Sequence, residues 1–306
     1  MSDRTFVFFS HNLIYYKDQI LLHYHGHEVD KYKIYLSNSE NAKNFSFEID
    51  LVKKYFYHSI SFMDQLKYNN DKFIIMSPNS RNIEIVKLEN KIHKIDEIEL
   101  DRGKALSVID NLNGDIILLQ KFRKIVTLKI YSKFDYIYEL KYIIKEKYHK
   151  LYNIIDNCFC ACTPQKTDIY GYNNENYVLK KSFRGDFSFL GTINNKYFIL
   201  RDNLHLFLIN LFYYEIVQKI EDNNSIRLFL INDTLLQIIK IDSNKLKIKI
   251  SKFDLIEGDF RVSEKKEENV FSIYFWNLVY LGKDVQSDKD LVLLLTSFYD
   301  RILIKV

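Results

Sequence analysis

Three clusters in this chain have residue types and spacings from which chemistry can be built. The first is His23-Tyr24-His25-Gly26-His27-Glu28. On an extended strand, residues two apart share a face, so His23, His25 and His27 could converge on one metal ion, with Glu28 or Asp30 adding oxygen ligands. Imidazole suits zinc, copper, iron or nickel. The plainer reading is a half-buried strand end beside a loop, because no second cluster elsewhere completes a catalytic constellation. The second cluster is Cys158, Cys160 and Cys162. Thiolates alternating along a flat strand are held apart instead of folding around an ion, so these read as small core residues.

The third cluster is the basic stretch Lys121–Lys150, with nine Lys or Arg against three Asp or Glu, a local excess larger than the net charge of +4 for the whole chain. Within it Lys141, Lys145, Lys147 and Lys150 interleave with Tyr142, Tyr148 and Tyr152. Lysines meet phosphates and tyrosines stack on bases, and the same charge suits an acidic protein surface. A solvated strand edge or a short helix is the bland alternative. Trp276, after the aromatic run Phe271–Phe275, reads as core filling between sheets, or as a binding hot spot if exposed. No Gly-rich phosphate loop, Gly-x-Ser-x-Gly elbow or His-Glu-x-x-His helix occurs. The chain therefore reads as non-catalytic and without a cofactor.

The elements that would position these residues are strands. Tyr and Phe number 23 each, and aromatic and β-branched residues favour the pleated surface. With only 8 Gly and 2 Pro, Asn and Asp take over the turns, as in Asn111-Leu112-Asn113-Gly114. The clearest unit is Ser225–Val262, which reads as the strands Ser225–Asn232, Leu235–Asp242 and Lys245–Phe253 and a weaker fourth. Such a unit cannot bury both faces alone and must stack on copies of itself.

Similar groups of strands cover Asn12–Asp50, Tyr57–Leu100, Ala105–Ile143, Lys150–Phe183 and Phe187–Ile220. The charged loop Glu264–Glu268 follows the Ser225–Val262 unit, and three more strands come after it: Val270–Leu281, Leu291–Ser297 and Ile302–Val306. The second strands recur about every 45 residues. Strand Thr5–Ser10 precedes the first group and is available to complete the last. The expected fold is all-β, a seven-bladed β-propeller over residues 1–306, closed by pairing of that N-terminal strand with the C-terminal blade. Six blades, or a pair of β domains, is the alternative.

An internal echo, Ser132-Lys133-Phe134-Asp135 and Ser251-Lys252-Phe253-Asp254, stands at the end of two of the third strands. The segment Lys247–Gly258, a strand ending in Phe253-Asp254 before Gly258, resembles the end of a WD repeat with Phe for Trp, and Phe134-Asp135 is similar. The Gly-His pair of that family occurs only at Gly26-His27, placed after a second strand. The resemblance implies a rigid platform for protein partners. The expectation is a non-catalytic interaction scaffold, a subunit of a larger complex, with contacts near Asn38–Lys43, Glu264–Glu268 and the basic stretch. The alternatives are a metal- or ligand-binding enzyme using His23, His25 and His27, or an RNA-binding subunit acting through Lys121–Lys150. No apolar run is long enough for a transmembrane helix, no signal peptide is evident, and three crowded cysteines form no disulfide framework. The expected setting is intracellular, cytoplasmic or nuclear, without membrane insertion.

Overall fold

The computed structural model describes residues 13–16, 19–25, 32–38, 47–50, 62–66, 68, 72–76, 81–88, 92–222, 225–231, 234–242, 245–256, 259–270, 275–283, 290–296 and 301–305, with side chains chiefly between residues 81 and 222. All regular structure among them is β-strand, in antiparallel sheets whose strands follow chain order. β1–β4 are Leu13–Tyr16, Gln19–His25, Tyr32–Asn38 and Phe47–Asp50; β5–β8 are Phe62–Gln65, Lys72–Met76, Asn82–Leu88 and Ile92–Glu99. The third sheet is β9–β12, Lys104–Asp110, Ile116–Phe122, Ile125–Phe134 and Ile137–Ile144; the fourth is β13–β16, Lys150–Ile155, Cys158–Cys162, Lys166–Tyr172 and Tyr177–Arg184. The fifth is β17–β20, Ser188–Ile193, Tyr197–Arg201, His205–Asn210 and Ile216–Glu221; the sixth is β21–β24, Ser225–Ile231, Thr234–Asp242, Lys245–Ile256 and Asp259–Val270. β25–β27, Phe275–Lys283, Asp290–Thr296 and Arg301–Lys305, form a three-stranded sheet.

Each four-stranded sheet is thus a meander like the blade of a propeller. Two compact units are present, Met1–Glu146 with Trp276–Leu295 and Arg301–Lys305, and Lys147–Phe275 with Thr296–Asp300. In the first unit, Ile83, Ile85 and Ile98 of the second sheet pack with Val108, Ile116 and Leu118 of the third. In the second unit, Ile154, Cys160 and Ile169 of the fourth sheet pack with Phe198, Leu200 and Ile209 of the fifth. The central strands β10 and β14 are covered on both faces, which is why Ile116–Leu119 and Cys158–Cys162 read as continuous runs without polar alternation. The fourth strands β12, β16 and β20 are largely exposed.

One irregularity recurs. Pairing of the third strand with the fourth slips by one residue between Ile85 and Val86, Ile130 and Tyr131, Ile169 and Tyr170, Leu208 and Ile209, and Ile250 and Ser251. The extra residue lies in the fourth strand each time: Ile95, Lys141, Lys180, Val217 and Lys265. A bulge increases the local twist and bends the outer strand, so its recurrence gives these sheets a common curvature. A second slip falls in first strands, where the extra residues Leu106, Ile154, Leu190 and Ile226 are all aliphatic.

The bulges define equivalent positions without any sequence match. They equate Ser132 with Lys252, so the Ser-Lys-Phe-Asp echo, which pairs Ser132 with Ser251, is one residue out of step and does not mark equivalent sites. Two further expectations change. Glu264–Glu268 is not a loop but part of β24, where Glu267 sits opposite Lys249 in the register. Of the expected strand Val270–Leu281, Val270 belongs to β24 and Phe275–Leu281 to β25, while residues 271–274 lie outside the described residues. Strand Thr5–Ser10 and residues 39–43 lie outside the described residues.

Candidate functional site

The residues of the basic stretch are divided between the two units. Lys141 is the bulge residue of β12, its ammonium 5.6 Å from the Tyr142 ring centroid. Lys145 is exposed in the same unit, while Lys147, Tyr148 and Lys150 belong to the other. Lys150 is held by both oxygens of Asp186 at 3.2 Å, so its charge is engaged. Tyr148, expected as a stacking surface, is instead buried. Its hydroxyl donates to Asp168 Oδ2 at 2.5 Å and lies 2.8 Å from the Tyr170 hydroxyl. With its one O–H already donated in a hydrogen bond to the carboxylate, it accepts from Tyr170. Burial, then these bonds, push the Tyr148 hydroxyl pKa far above the ordinary phenolic range.

Asp168 also accepts from Ser182 Oγ at 2.6 Å and pairs with Lys166 Nζ at 2.8 Å. Burial alone would raise its pKa, but the bonds from Lys166, Ser182 and Tyr148 outweigh that and hold it below the ordinary carboxyl value. Asp168 occupies the position immediately before the bulge site on the third strand. At the equivalent position of the third sheet is Lys129, buried, with its ammonium 2.6 Å from Asp101 Oδ1. In the fifth sheet it is Phe207, whose ring meets Phe187 edge-on at 5.2 Å. Asp101, Tyr148 and Phe187 each stand just ahead of the first strand of their own sheet. The same joint is therefore made three times, with an ion pair, a hydrogen bond and an aromatic contact. Each fastens the incoming chain to the third strand.

The cysteines are free thiols in the fourth sheet, Cys160 and Cys162 buried. Burial pushes the Cys160 thiol well up, away from the reactive thiolate. Among the described residues no group of three or more His, Cys, Asp or Glu is placed to hold a metal ion. His23 and His25 lie two apart on β2, while His27, Glu28 and Asp30 fall outside the described residues. Trp276 lies on β25.

A surface the sequence reading missed lies where β10 turns into β11. Lys104 and Lys121 are paired in register, an opposition of like charges that destabilises a sheet. Arg102 and Arg123 place their guanidinium carbons 5.8 and 5.4 Å from the centroid of the Phe122 ring. Lys124 completes five exposed cations, none of which makes an ion pair among the described residues. The nearby carboxylate of Asp101 is committed to Lys129, and that ammonium is the leading cause holding its pKa below the usual range. Gln120 Nε2 bonds Asp101 Oδ1 at 3.3 Å and also the Arg102 carbonyl, which pins the loop carrying Arg102. Gly103, at φ +84°, allows that loop to pass close to β10, since a Cβ there would fall 2.2 Å from the Lys121 carbonyl oxygen. Strand pairing joins residues about twenty apart, and that is why the stretch Lys121–Lys150 alone did not reveal Arg102 and Lys104.

These sheets define an all-β protein of blade-like, four-stranded meanders. The chain is similar in structure to a functionally unknown protein from Desulfotomaculum acetoxidans DSM 771, with a TM-score of 0.59, 8% identity, and coverage of 91% of this chain and 92% of that one. A looser likeness, with a TM-score of 0.44 and 8% identity, covers 84% of this chain and 97% of Kluyvelomyces marxianus Hsv2. No protein-family model matches the sequence, and no curated protein matches it. Among the described residues no helix is long and apolar enough to cross a membrane.

Proposed function

We propose that the chain is a seven-bladed β-propeller serving as a non-catalytic scaffold for protein partners within a larger complex. In this reading Thr5–Ser10 adds the fourth strand to β25–β27 beside β27, which removes the open sheet edge there. The observation that carries the reading is the joint made just before the bulge in the third, fourth and fifth sheets. Two buried charged groups of the third and fourth sheets, Lys129 and Asp168, are taken up in fastening strands, and reactive chemistry is not what they are arranged for. The exposed cations Arg102, Lys104, Lys121, Arg123 and Lys124 make no ion pair among the described residues, and loops on rigid scaffolds are where binding residues are carried.

Isolation of the tagged chain from its native cell under mild conditions tests this. The expected result is a defined set of partner proteins at constant stoichiometry. Recovery of the chain alone, as a species of 36.8 kDa, overturns the scaffold role.

A further inference from the structure

Resting on the scaffold reading, we infer that the corner formed by Arg102, Lys104, Lys121, Phe122, Arg123 and Lys124 is the docking site for an acidic, apolar-bearing segment of a partner protein. Four features converge on that occupant. Five cations are gathered, none of them in an ion pair among the described residues, across a strand pair that opposes Lys104 to Lys121, and the adjoining carboxylate of Asp101 is already paired with Lys129. A free chain keeps such repulsion at a cost, and an anionic partner relieves it.

The two guanidiniums are held by the Phe122 ring. A ring engaged in this way orients the planar forks for two-pronged bonds to carboxylates. It is less suited to receive a base. The loop bearing Arg102 is fixed from beneath, because Gln120 and Lys129 grip its backbone and its Asp101. A partner therefore meets cations already in place, which lowers the ordering cost of association. Ile125, paired with Phe122 across the hairpin, is 63% exposed. An exposed aliphatic side chain among cations matches a protein segment with mixed acidic and apolar side chains, whereas a phosphate backbone makes no use of it.

The test uses the full chain and three probes: a short fluorescein-labelled peptide alternating glutamate and leucine, a matching peptide alternating glutamine and leucine, and a single-stranded oligouridylate. Anisotropy titrations are run on the wild type, on Arg102→Glu/Arg123→Glu, and on Lys181→Glu/Arg184→Glu as an equal charge change on β16. The expected result is salt-sensitive binding of the acidic peptide, weakened at least ~10-fold by the corner reversal and by less than about twofold by the β16 reversal. Every mutated side chain is exposed, and an unchanged melting temperature confirms that the fold is intact.

Absence of acidic-peptide binding overturns the proposal, as does equal binding of the glutamine peptide or equal loss in both reversals. Corner-dependent binding of oligouridylate without the acidic peptide overturns it in favour of nucleic acid. Native isolation of the Arg102→Glu/Arg123→Glu chain separates this proposal from the scaffold reading. Failed peptide binding with an intact complex removes only the corner; a wild-type chain isolated without partners removes the scaffold.

Discussion

The third and fourth sheets solve one structural problem with opposite charges. Both carry a charged residue on the third strand just before the bulge, and both use it to hold the segment entering the first strand. In the third sheet the cation is buried and the acid faces water: the Lys129 side chain is 6% exposed and that of Asp101 70%. In the fourth the acid is buried and the cation is outside: Asp168 is 1% exposed and Lys166 37%. A buried carboxylate is an acceptor with several lone pairs, so it gathers the hydroxyls of Tyr148 and Ser182 around itself. A buried ammonium at the tip of a long stem needs fewer partners and leans on one exposed carboxylate. The joint is thus defined by position and not by chemistry, which accounts for an internal repeat that the letters barely show.

The sharpest way to break this comparison is to delete the buried acid. Asp168→Ala strands the Tyr148 hydroxyl in the core and removes three charge-assisted contacts, with an expected loss of about 3–5 kcal/mol in urea unfolding. A loss under about 1 kcal/mol would mean that the network is incidental. Next in size is Gly103→Ala. Its Cβ would collide with the Lys121 carbonyl in a left-handed backbone, for an expected loss of about 2–4 kcal/mol. Gly114→Ala, at the same φ of +84° but in open space, should lose about 1 kcal/mol.

The third sheet should show the reverse asymmetry. Asp101→Ala leaves the buried Lys129 ammonium without its carboxylate and should lose about 1–3 kcal/mol. Lys129→Met removes the buried charge along with its need for a partner, and should stay within about 1 kcal/mol of wild type.

Acid titration gives the smallest but most specific signature. The Asp168 pKa in the folded chain lies below its ordinary value of 3.8. Its contribution is therefore full above that value and is lost as pH falls from there through the depressed folded pKa. Stability of the wild type should drop more steeply across this acid window than that of Asp168→Asn, measured as the difference in unfolding midpoint at each pH.

Much of the strand grouping was legible because β-period, turn residues and apolar runs are local signals. β21 and β22 fall within one residue of the expected strands Ser225–Asn232 and Leu235–Asp242, and Asn111–Gly114 makes the expected turn, with Gly114 N–H bonded to the Asn111 carbonyl at 2.9 Å. What failed was non-local. Glu264–Glu268 reads as a loop when taken alone, yet pairing places Glu267 opposite Lys249. Tyr148 reads as surface among lysines, yet its acceptor stands twenty residues on, in a buried strand. The cationic corner needed β9 and β10 in register before Arg102 and Lys104 could join Lys121.

Ring closure is the claim on which the platform rests, and paired cysteines test it most directly. Val7→Cys or Phe8→Cys is combined with Leu303→Cys of β27, the two choices covering both strand faces, and the chain is mildly oxidised. A disulfide within a single chain, seen by mass and by faster mobility without reductant, is the predicted result for one of the two pairs. Bonds that form only between chains, or in neither pair, would contradict a propeller closed by its N-terminal strand.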